Sequence, residues 1–185
     1  MATHYFTASS LDGFIATPDH SLDWLLRQDF DESGPMAYGE FVTTIGAIAM
    51  GASTFEWVMR NDPQGWAYEQ PAWVFTHRDI PVPGGIQVTL TQADVRDVHA
   101  QMVAAAGEKD IWIVGGGDLA GQFADAGLVD EVWVQYAPVM LGAGAPLFPR
   151  VLDLEVIDTA RNGSFLCGRY RVIREQNEDD PEAPR

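Results

Sequence analysis

The apolar residues of the chain fall into short blocks that are separated by polar and turn-forming segments. Short apolar or alternating blocks bounded by glycine, proline or polar residues are typical of strands. Such blocks predict strands at residues 4–9, 45–50, 72–76, 86–90, 111–114 and 131–137. A closing hairpin is predicted from residues 154–160 and 165–174, because the Asn162-Gly163 pair between them suits a type I′ turn.

Helical patterns lie between these strands. A weak one covers residues 35–43, and a second opens at Ser53, since Ser53 and Glu56 have the spacing of a capping box. The clearest helix is predicted over residues 91–106, with Gly107 as its stop. Its apolar stripe consists of Val95, Val98, Met102 and Ala105.

The order of these elements indicates the fold class. Strand and helix patterns alternate through the first three quarters of the chain, and a hairpin closes it. This order predicts one layered α/β domain whose central sheet is mixed and mostly parallel, with an antiparallel edge. A length of 185 residues also favours one domain. We expect this domain to span residues 1–175, and the acidic tail of residues 176–185 to be disordered.

Charge and composition narrow the classes of partner. The 27 acidic and 11 basic residues give a net charge of −16, which repels nucleic-acid phosphates. One cysteine, Cys167, excludes an internal disulfide and a cysteine-based metal site, and the four histidines lack the spacing of metal ligands. No apolar run is long enough to span a membrane, and no signal peptide is recognisable. We expect a cytoplasmic protein that binds a small molecule rather than nucleic acid or a membrane.

The strongest candidate for a binding site is a glycine run between a strand and a helix. The strand at residues 111–114 leads into Gly115-Gly116-Gly117, and a helix continues to Ala126. The free N–H groups and positive dipole end of such a helix suit a pyrophosphate, for which Gly116 should have no room for a side chain. The alternative is a tight turn that needs positive φ.

Two other segments resemble binding loops. Met50-Gly51 precedes Ser53 and Thr54, which favours a second phosphate contact or, alternatively, simple N-capping of a helix. Asp12, directly before Gly13, follows the first strand. This aspartate either turns the loop through its side chain or contacts a substrate.

The ordered set of these segments resembles the dihydrofolate-reductase-like superfamily. The segments are Ser10-Leu11-Asp12-Gly13-Phe14-Ile15-Ala16, Met50-Gly51 with Thr54-Phe55-Glu56, Val114-Gly115-Gly116-Gly117, and Pro138-Val139-Met140-Leu141-Gly142 before Leu147-Phe148. Within it, residues 4–174 are most similar to the reductase domain of the bifunctional riboflavin-biosynthesis deaminase–reductase and its stand-alone bacterial relatives. The resemblance implies a sheet of about eight strands that binds NADPH across its carboxyl edge.

The same resemblance implies roles for individual residues. Backbone groups of Ala8 and Ile15 would hold the nicotinamide carboxamide, and Thr76 and Arg78 would lie near the adenosine 2′-phosphate. The other cofactor contacts would be Gly51, Ser53 and Thr54 along the phosphates, Gly115, Gly116, Gly117, Asp118 and Leu119 around the pyrophosphate, with a cis Gly115–Gly116 bond, and Gln122 near the adenine. The substrate would face Trp24 and Gln135, beside Asp12.

Departures from the family pattern bear on the cofactor and on the substrate. Many relatives carry an arginine where this chain has Ala52, so Arg78 becomes the main candidate for selecting NADP over NAD. Gln70 and Pro71 stand where dihydrofolate reductases have a basic residue for the folate tail, which disfavours folate as the substrate.

These observations predict an NADPH-dependent reductase that transfers a hydride to a C=N or C=O bond of a small heterocycle. The proton would come from Asp12, another nearby acid or bound water. Alternatives are the 5-amino-6-(5-phosphoribosylamino)uracil reductase of riboflavin biosynthesis and a non-catalytic NADPH-binding module. A homodimer is expected from the relatives and from the β-rich run at residues 165–173, since proteins usually cover such hairpin edges.

Overall fold

The computed structural model describes residues 1–62 and 65–174, so the predicted tail lies outside the described residues. The strands are β1 (Thr3–Ser10), β2 (Phe14–Ala16), β3 (Ile45–Gly51), β4 (Ala72–Phe75), β5 (Val88–Thr91), β6 (Asp110–Gly115), β7 (Glu131–Ala137), β8 (Ala145–Pro146), β9 (Leu154–Asn162) and β10 (Phe165–Val172). The helices are α1 (Asp23–Leu26), α2 (Tyr38–Thr43), α3 (Ala52–Asn61), α4 (Val95–Ala106) and α5 (Gly117–Asp125). None of the described helices is long and apolar enough to cross a membrane.

Eight of the strands form one sheet in the order β5-β4-β3-β6-β1-β7-β10-β9. The pairs from β5 to β7 are parallel, whereas β10 is antiparallel to both β7 and β9. The predicted α/β class, with a mostly parallel sheet and an antiparallel edge, is therefore confirmed. A separate two-stranded sheet joins β2 to β8.

Both faces of the sheet are covered, which explains why the central strands read as continuous apolar blocks. One core includes Tyr5 of β1 with Met102 of α4 and Phe123 of α5. The other core includes Phe6, the next residue of β1, with Phe55 of α3. Because side chains alternate along a strand, consecutive residues of β1 serve opposite cores.

The helix starts differ from the predicted ones. Gly51, not Ser53, is the N-cap of α3, and no side chain caps this helix, so the capping-box prediction is wrong. α4 begins at Val95 because the Asp94 carboxylate accepts the backbone N–H of Arg96 at 2.8 Å. At its other end Ala106 is buried, whereas Ala105, which was placed in the apolar stripe, is exposed.

The hairpin turn also differs from the prediction. Asn162 still pairs with Phe165 in the sheet, so the loop consists of Gly163 and Ser164. Only Gly163, at φ 54°, has positive φ there, which is the pattern of a type II′ rather than a type I′ turn. The buried Asn162 amide explains the shift, because its Nδ2 donates to the carbonyl oxygens of Asp31 and Pro35 and keeps the residue in the strand.

Candidate functional site at the carboxyl edge of the sheet

The sheet opens between β1 and β6 at its carboxyl edge. The pairing of β1 with β6 ends at Tyr5 and Ile113, whereas its pairing with β7 continues to Ser10. A cleft of about 460 Å³ lies beyond this point, with Thr7 of β1 and Val114 of β6 in its lining. This volume is in the range of small-molecule and cofactor sites.

Two strand–helix junctions lie side by side in the wall of this cleft. β3 and β6 are neighbours, and Met50 is in register with Gly115. The N-cap residues, Gly51 of α3 and Gly116 of α5, carry no side chain that could cap the helix. The first N–H groups of a helix have no partner within it, and its dipole is positive at this end. The lining therefore offers two neighbouring helix starts to one anionic group.

The three glycines after β6 meet different surroundings. A Cβ on Gly117 would lie 2.4 Å from the carbonyl oxygens of Pro146 and Leu147, so this position excludes any side chain. A Cβ on Gly116 would meet only the Ile15 Cδ1 atom, at 3.8 Å. The expectation that Gly116 has no room for a side chain is therefore wrong for the protein alone, because the space in front of it is the cleft. The peptide bond between Gly115 and Gly116 is cis, as the resemblance implied.

Comparison with known proteins identifies the family. The model of the RibD C-terminal domain matches residues 59–163, which is more than half of the chain. The chain belongs to the RibD C-terminal domain family. The uncharacterized protein YwjB of Bacillus subtilis (strain 168) is 34% identical over 149 residues, which are 79% of this chain and 82% of that protein.

Solved structures agree with this family. A protein from Shewanella sp. PV-4 that is named for riboflavin biosynthesis is 29% identical, with a TM-score of 0.81 over 94% of this chain and 100% of that one. Dihydrofolate reductase from Enterococcus faecalis, complexed with NADP(H), is 17% identical, with a TM-score of 0.61 over 92% of this chain and 96% of that one. The second likeness shows the fold, and the dihydrofolate-reductase-like architecture is confirmed.

Within this RibD C-terminal domain, the cleft collects most of the residues that the resemblance assigned to the cofactor. Those in the lining are Ile15, Gly51, Ser53, Thr54, Gly115, Gly116, Gly117, Asp118, Leu119 and Gln122. The Asp118 carboxylate accepts hydrogen bonds from Gln122 Nε2 and Arg150 Nη2, each at 2.9 Å, and these two contacts lower its pKa. Ala8, Thr76 and Arg78 are not in the lining.

Asp12 holds two loops together outside the lining. Its Oδ1 accepts the Ser10 hydroxyl at 2.6 Å and the Leu141 N–H at 3.0 Å, while its Oδ2 accepts the Gly142 N–H at 2.6 Å. The Ser10 hydroxyl, followed by the Leu141 amide, lowers the pKa of Asp12 to about 2. An acid that is ionised and already bonded in this way has no proton to donate at neutral pH, so the geometry favours a structural role.

Trp24 and Gln135 are buried side chains outside the cleft lining. Trp24 packs with Ala137 and Phe165, and its indole Nε1 has no hydrogen-bond partner among the described residues. Gln135 Nε2 donates to the Met36 carbonyl oxygen at 2.8 Å. Neither side chain belongs to the cleft lining, so their assignment to the substrate stays a prediction.

Several lining residues were not predicted from the sequence. They include His20, Leu22, Trp57, Phe75 and Pro146. His20 adopts an unusual positive φ of 62°, in a turn where the Thr17 hydroxyl accepts the Ser21 N–H at 2.9 Å. A turn of this kind is signalled only by the local Thr-x-Asp pattern, which does not reveal that its tip reaches a cleft.

Proposed function

We propose that the chain is an NADPH-dependent reductase that transfers a hydride from the nicotinamide to a C=N or C=O bond of a small heterocycle. The observation that carries this proposal is the meeting of two helix starts, at Gly51 and Gly116, in one cleft at the carboxyl edge of the sheet. Their N–H groups suit the pyrophosphate of an extended dinucleotide. Membership of the RibD C-terminal domain family supports the same activity.

The two ends of the cleft differ in a way that supports one orientation of the bound cofactor. Beyond Tyr5, β1 has no strand partner on its β6 side, so backbone groups near Ala8, together with Ile15, are proposed to hold the nicotinamide carboxamide. At the other end α3 and the end of β4 approach each other. There we propose that Thr76 and Arg78 bind the adenosine 2′-phosphate, and that Gln122 lies near the adenine.

The cofactor supplies the hydride, while the protein positions it and excludes water. His20 and Asp118 are the titratable side chains among the described residues of the lining. Asp118 has a lowered pKa and is bonded to Gln122 and Arg150, so it is a poor acid. We therefore propose that the proton reaches the substrate from His20 or from water rather than from Asp12.

A second candidate is the 5-amino-6-(5-phosphoribosylamino)uracil reductase activity. The family itself, and the Shewanella protein named for riboflavin biosynthesis, favour it. Against it, the described lining contains neither lysine nor arginine for a substrate phosphate. We therefore place an uncharged heterocycle first.

The experiment has two stages. NADPH is first titrated into the protein while its fluorescence is followed, and a shift with saturation is expected. NADPH oxidation is then measured with a panel of pterins and ribosylaminopyrimidines. Turnover of an uncharged heterocycle supports the first proposal, and turnover of the phosphoribosyl compound alone supports the second. Binding without any turnover would indicate a cofactor-binding module, and absence of binding would reject all three.

The hairpin edge of the sheet supports a proposal about the oligomeric state. β9 is the last strand of the sheet, and exposed apolar side chains line the hairpin, among them Val156 at 61% and Leu166 at 58%. We propose that a second copy of the chain covers this edge, because unpaired edge strands are usually protected. Light scattering should give twice the chain mass of 20.3 kDa, and a monomer at micromolar concentration would contradict the proposal.

A further inference from the structure

The guanidinium of Arg78 is already occupied in this protein. Its Nη1 and Nη2 atoms donate to the Oε1 and Oε2 atoms of Glu56, at 2.9 and 3.0 Å. Glu56 lies on α3, between Ser53 and Trp57, both of which line the cleft. Arg78 lies just beyond β4, whose last residue, Phe75, also lines the cleft. The ion pair therefore stands at the β4 end of the cleft.

The side chains of this pair can be reached by a ligand. Arg78 is 57% exposed and Glu56 35% exposed. The backbone on the Arg78 side is fixed, because the Thr76 hydroxyl accepts the Arg78 N–H at 2.9 Å. Exposed ion pairs contribute little to stability. The Arg78 guanidinium can therefore exchange Glu56 for another anionic partner at low cost.

We infer that Glu56 determines cofactor specificity, by competing with the adenosine 2′-phosphate for Arg78 and thereby lowering the preference for NADPH over NADH. This inference rests on the proposed function. Two parallel N–H donors of an arginine match two oxygens of a carboxylate or of a phosphate, and here the carboxylate holds them. A 2′-phosphate must displace the carboxylate and remain beside its charge. A ribose 2′-hydroxyl is neutral, and carboxylates accept its hydrogen bond in other dinucleotide sites.

The surrounding charges do not replace Arg78. Ala52 stands at the junction where the resemblance to the family implies an arginine. Arg150 is engaged by Asp118 and Asp125, at 2.9 and 3.0 Å. Arg60, one turn beyond Glu56 on α3, donates from Nε to the Glu56 carbonyl oxygen at 3.0 Å. Release of Arg78 from Glu56 is therefore the direct way to strengthen binding of a 2′-phosphate.

The test compares NADPH and NADH titrations, followed by cofactor fluorescence, for the unmodified protein, Glu56→Gln, Arg78→Ala and the double variant. We expect Glu56→Gln to bind NADPH about fivefold more tightly and NADH within about twofold of the unmodified protein, because an exposed ion pair of modest strength no longer competes for the Arg78 guanidinium. Arg78→Ala should weaken NADPH binding, and the gain from Glu56→Gln should be smaller in its presence. Added salt should reduce the gain.

Glu155→Gln is the matched control. Glu155 pairs with Arg171 across the β9–β10 hairpin, at the opposite end of the sheet from β4, and its change to glutamine alters net charge by the same amount. It should leave the NADPH-to-NADH affinity ratio unchanged.

The outcomes separate the inference from the function on which it rests. An unchanged ratio in Glu56→Gln, or weaker NADPH binding because Glu56 positions Arg78 for the phosphate, would overturn the inference while both cofactors still bind. If the unmodified protein binds neither NADPH nor NADH, the proposed function fails and the inference fails with it. Circular dichroism melts check that the variants are folded.

Discussion

The two strand–helix junctions of the cleft have the same design but differ in how strictly they require glycine. Each joins a central parallel strand to a helix whose N-cap is a glycine without a side-chain cap. A Cβ on Gly51, at the β3–α3 junction, would have its nearest neighbours at 4.0 Å. A Cβ on Gly117, at the β6–α5 junction, would lie 2.4 Å from two carbonyl oxygens. The N-cap glycine thus has room for a Cβ at both junctions. The strict requirement falls on Gly117, the first residue of α5, whose counterpart at the start of α3 is Ala52.

Adjacent glycines of the β6–α5 junction also separate packing from binding. Gly117 faces the chain at Pro146 and Leu147, next to β8, whereas Gly116 faces the cleft towards Ile15. Folding therefore accounts for Gly117 but not for Gly116. Substitution of Gly117 should therefore change the free energy of unfolding, whereas substitution of Gly116 should change the affinity for NADPH.

The largest effect is expected for Gly117→Ala. The added methyl group must push against backbone atoms of residues 146 and 147, which cannot rotate away. Overpacking of this kind costs about 3 kcal/mol of the free energy of unfolding, which urea denaturation measures. Gly51→Ala is the matched control and should change the free energy by less than about 0.5 kcal/mol. Equal losses in both variants would show that the two junctions do not differ in packing.

Gly116→Val is expected to act on binding instead. Gly116 has a φ of −86°, which valine also adopts, and its Cβ would have room against Ile15. The branched side chain would occupy the cleft where the pyrophosphate is proposed to approach. NADPH affinity should fall tenfold or more, on the order of 1.4 kcal/mol, as measured by fluorescence titration.

Two controls accompany this variant. Circular dichroism must show a folded protein with a cooperative melt, and Gly116→Ala should lose less affinity than Gly116→Val because its side chain is smaller. A folded Gly116→Val protein that binds NADPH normally would remove this glycine junction from the site, and with it the main support for the proposed function.

Elements that depend on neighbouring residues could be predicted from the sequence, whereas elements that depend on distant contacts could not. Strands buried on both faces, such as β3 and β7, produce apolar blocks that can be recognised without knowledge of their neighbours. The three-residue β2 has no such signal, because its pairing partner is β8, far along the chain. Its existence depends on a contact that only the folded chain creates.

The candidate site shows the same limit. The glycine junctions were recognisable because strand, glycine and helix are adjacent in sequence. The capping box failed because Glu56 bonds to Arg78 rather than to the helix N-terminus. Asp12 does more than turn its own loop, since two of its partners are the amides of Leu141 and Gly142. Such long-range partners leave no trace in local spacing.

Asp12→Asn changes the contact between the Asp12 loop and the loop at Leu141 and Gly142. Its effect on thermal stability should be the smallest of the three and should depend on pH. The carboxylate accepts two backbone N–H groups, and an amide cannot accept both without turning its own donor towards one of them. We expect a lower melting temperature for Asp12→Asn at neutral pH. Thermal melts monitored by circular dichroism measure the difference.

The pH dependence follows from the lowered pKa of Asp12, which is about 2 in the folded protein against an ordinary value of 3.8. Between these two values the unfolded chain binds more protons, so the contribution of Asp12 is complete above pH 3.8 and is lost as the pH falls towards 2. The difference in melting temperature between the unmodified protein and Asp12→Asn should shrink over the same window. Asp153→Asn, at an exposed carboxylate without a hydrogen bond to another described residue, should show no such convergence. If Asp12→Asn melts like the unmodified protein at neutral pH, the carboxylate does not stabilise these loops and a substrate role for Asp12 regains support.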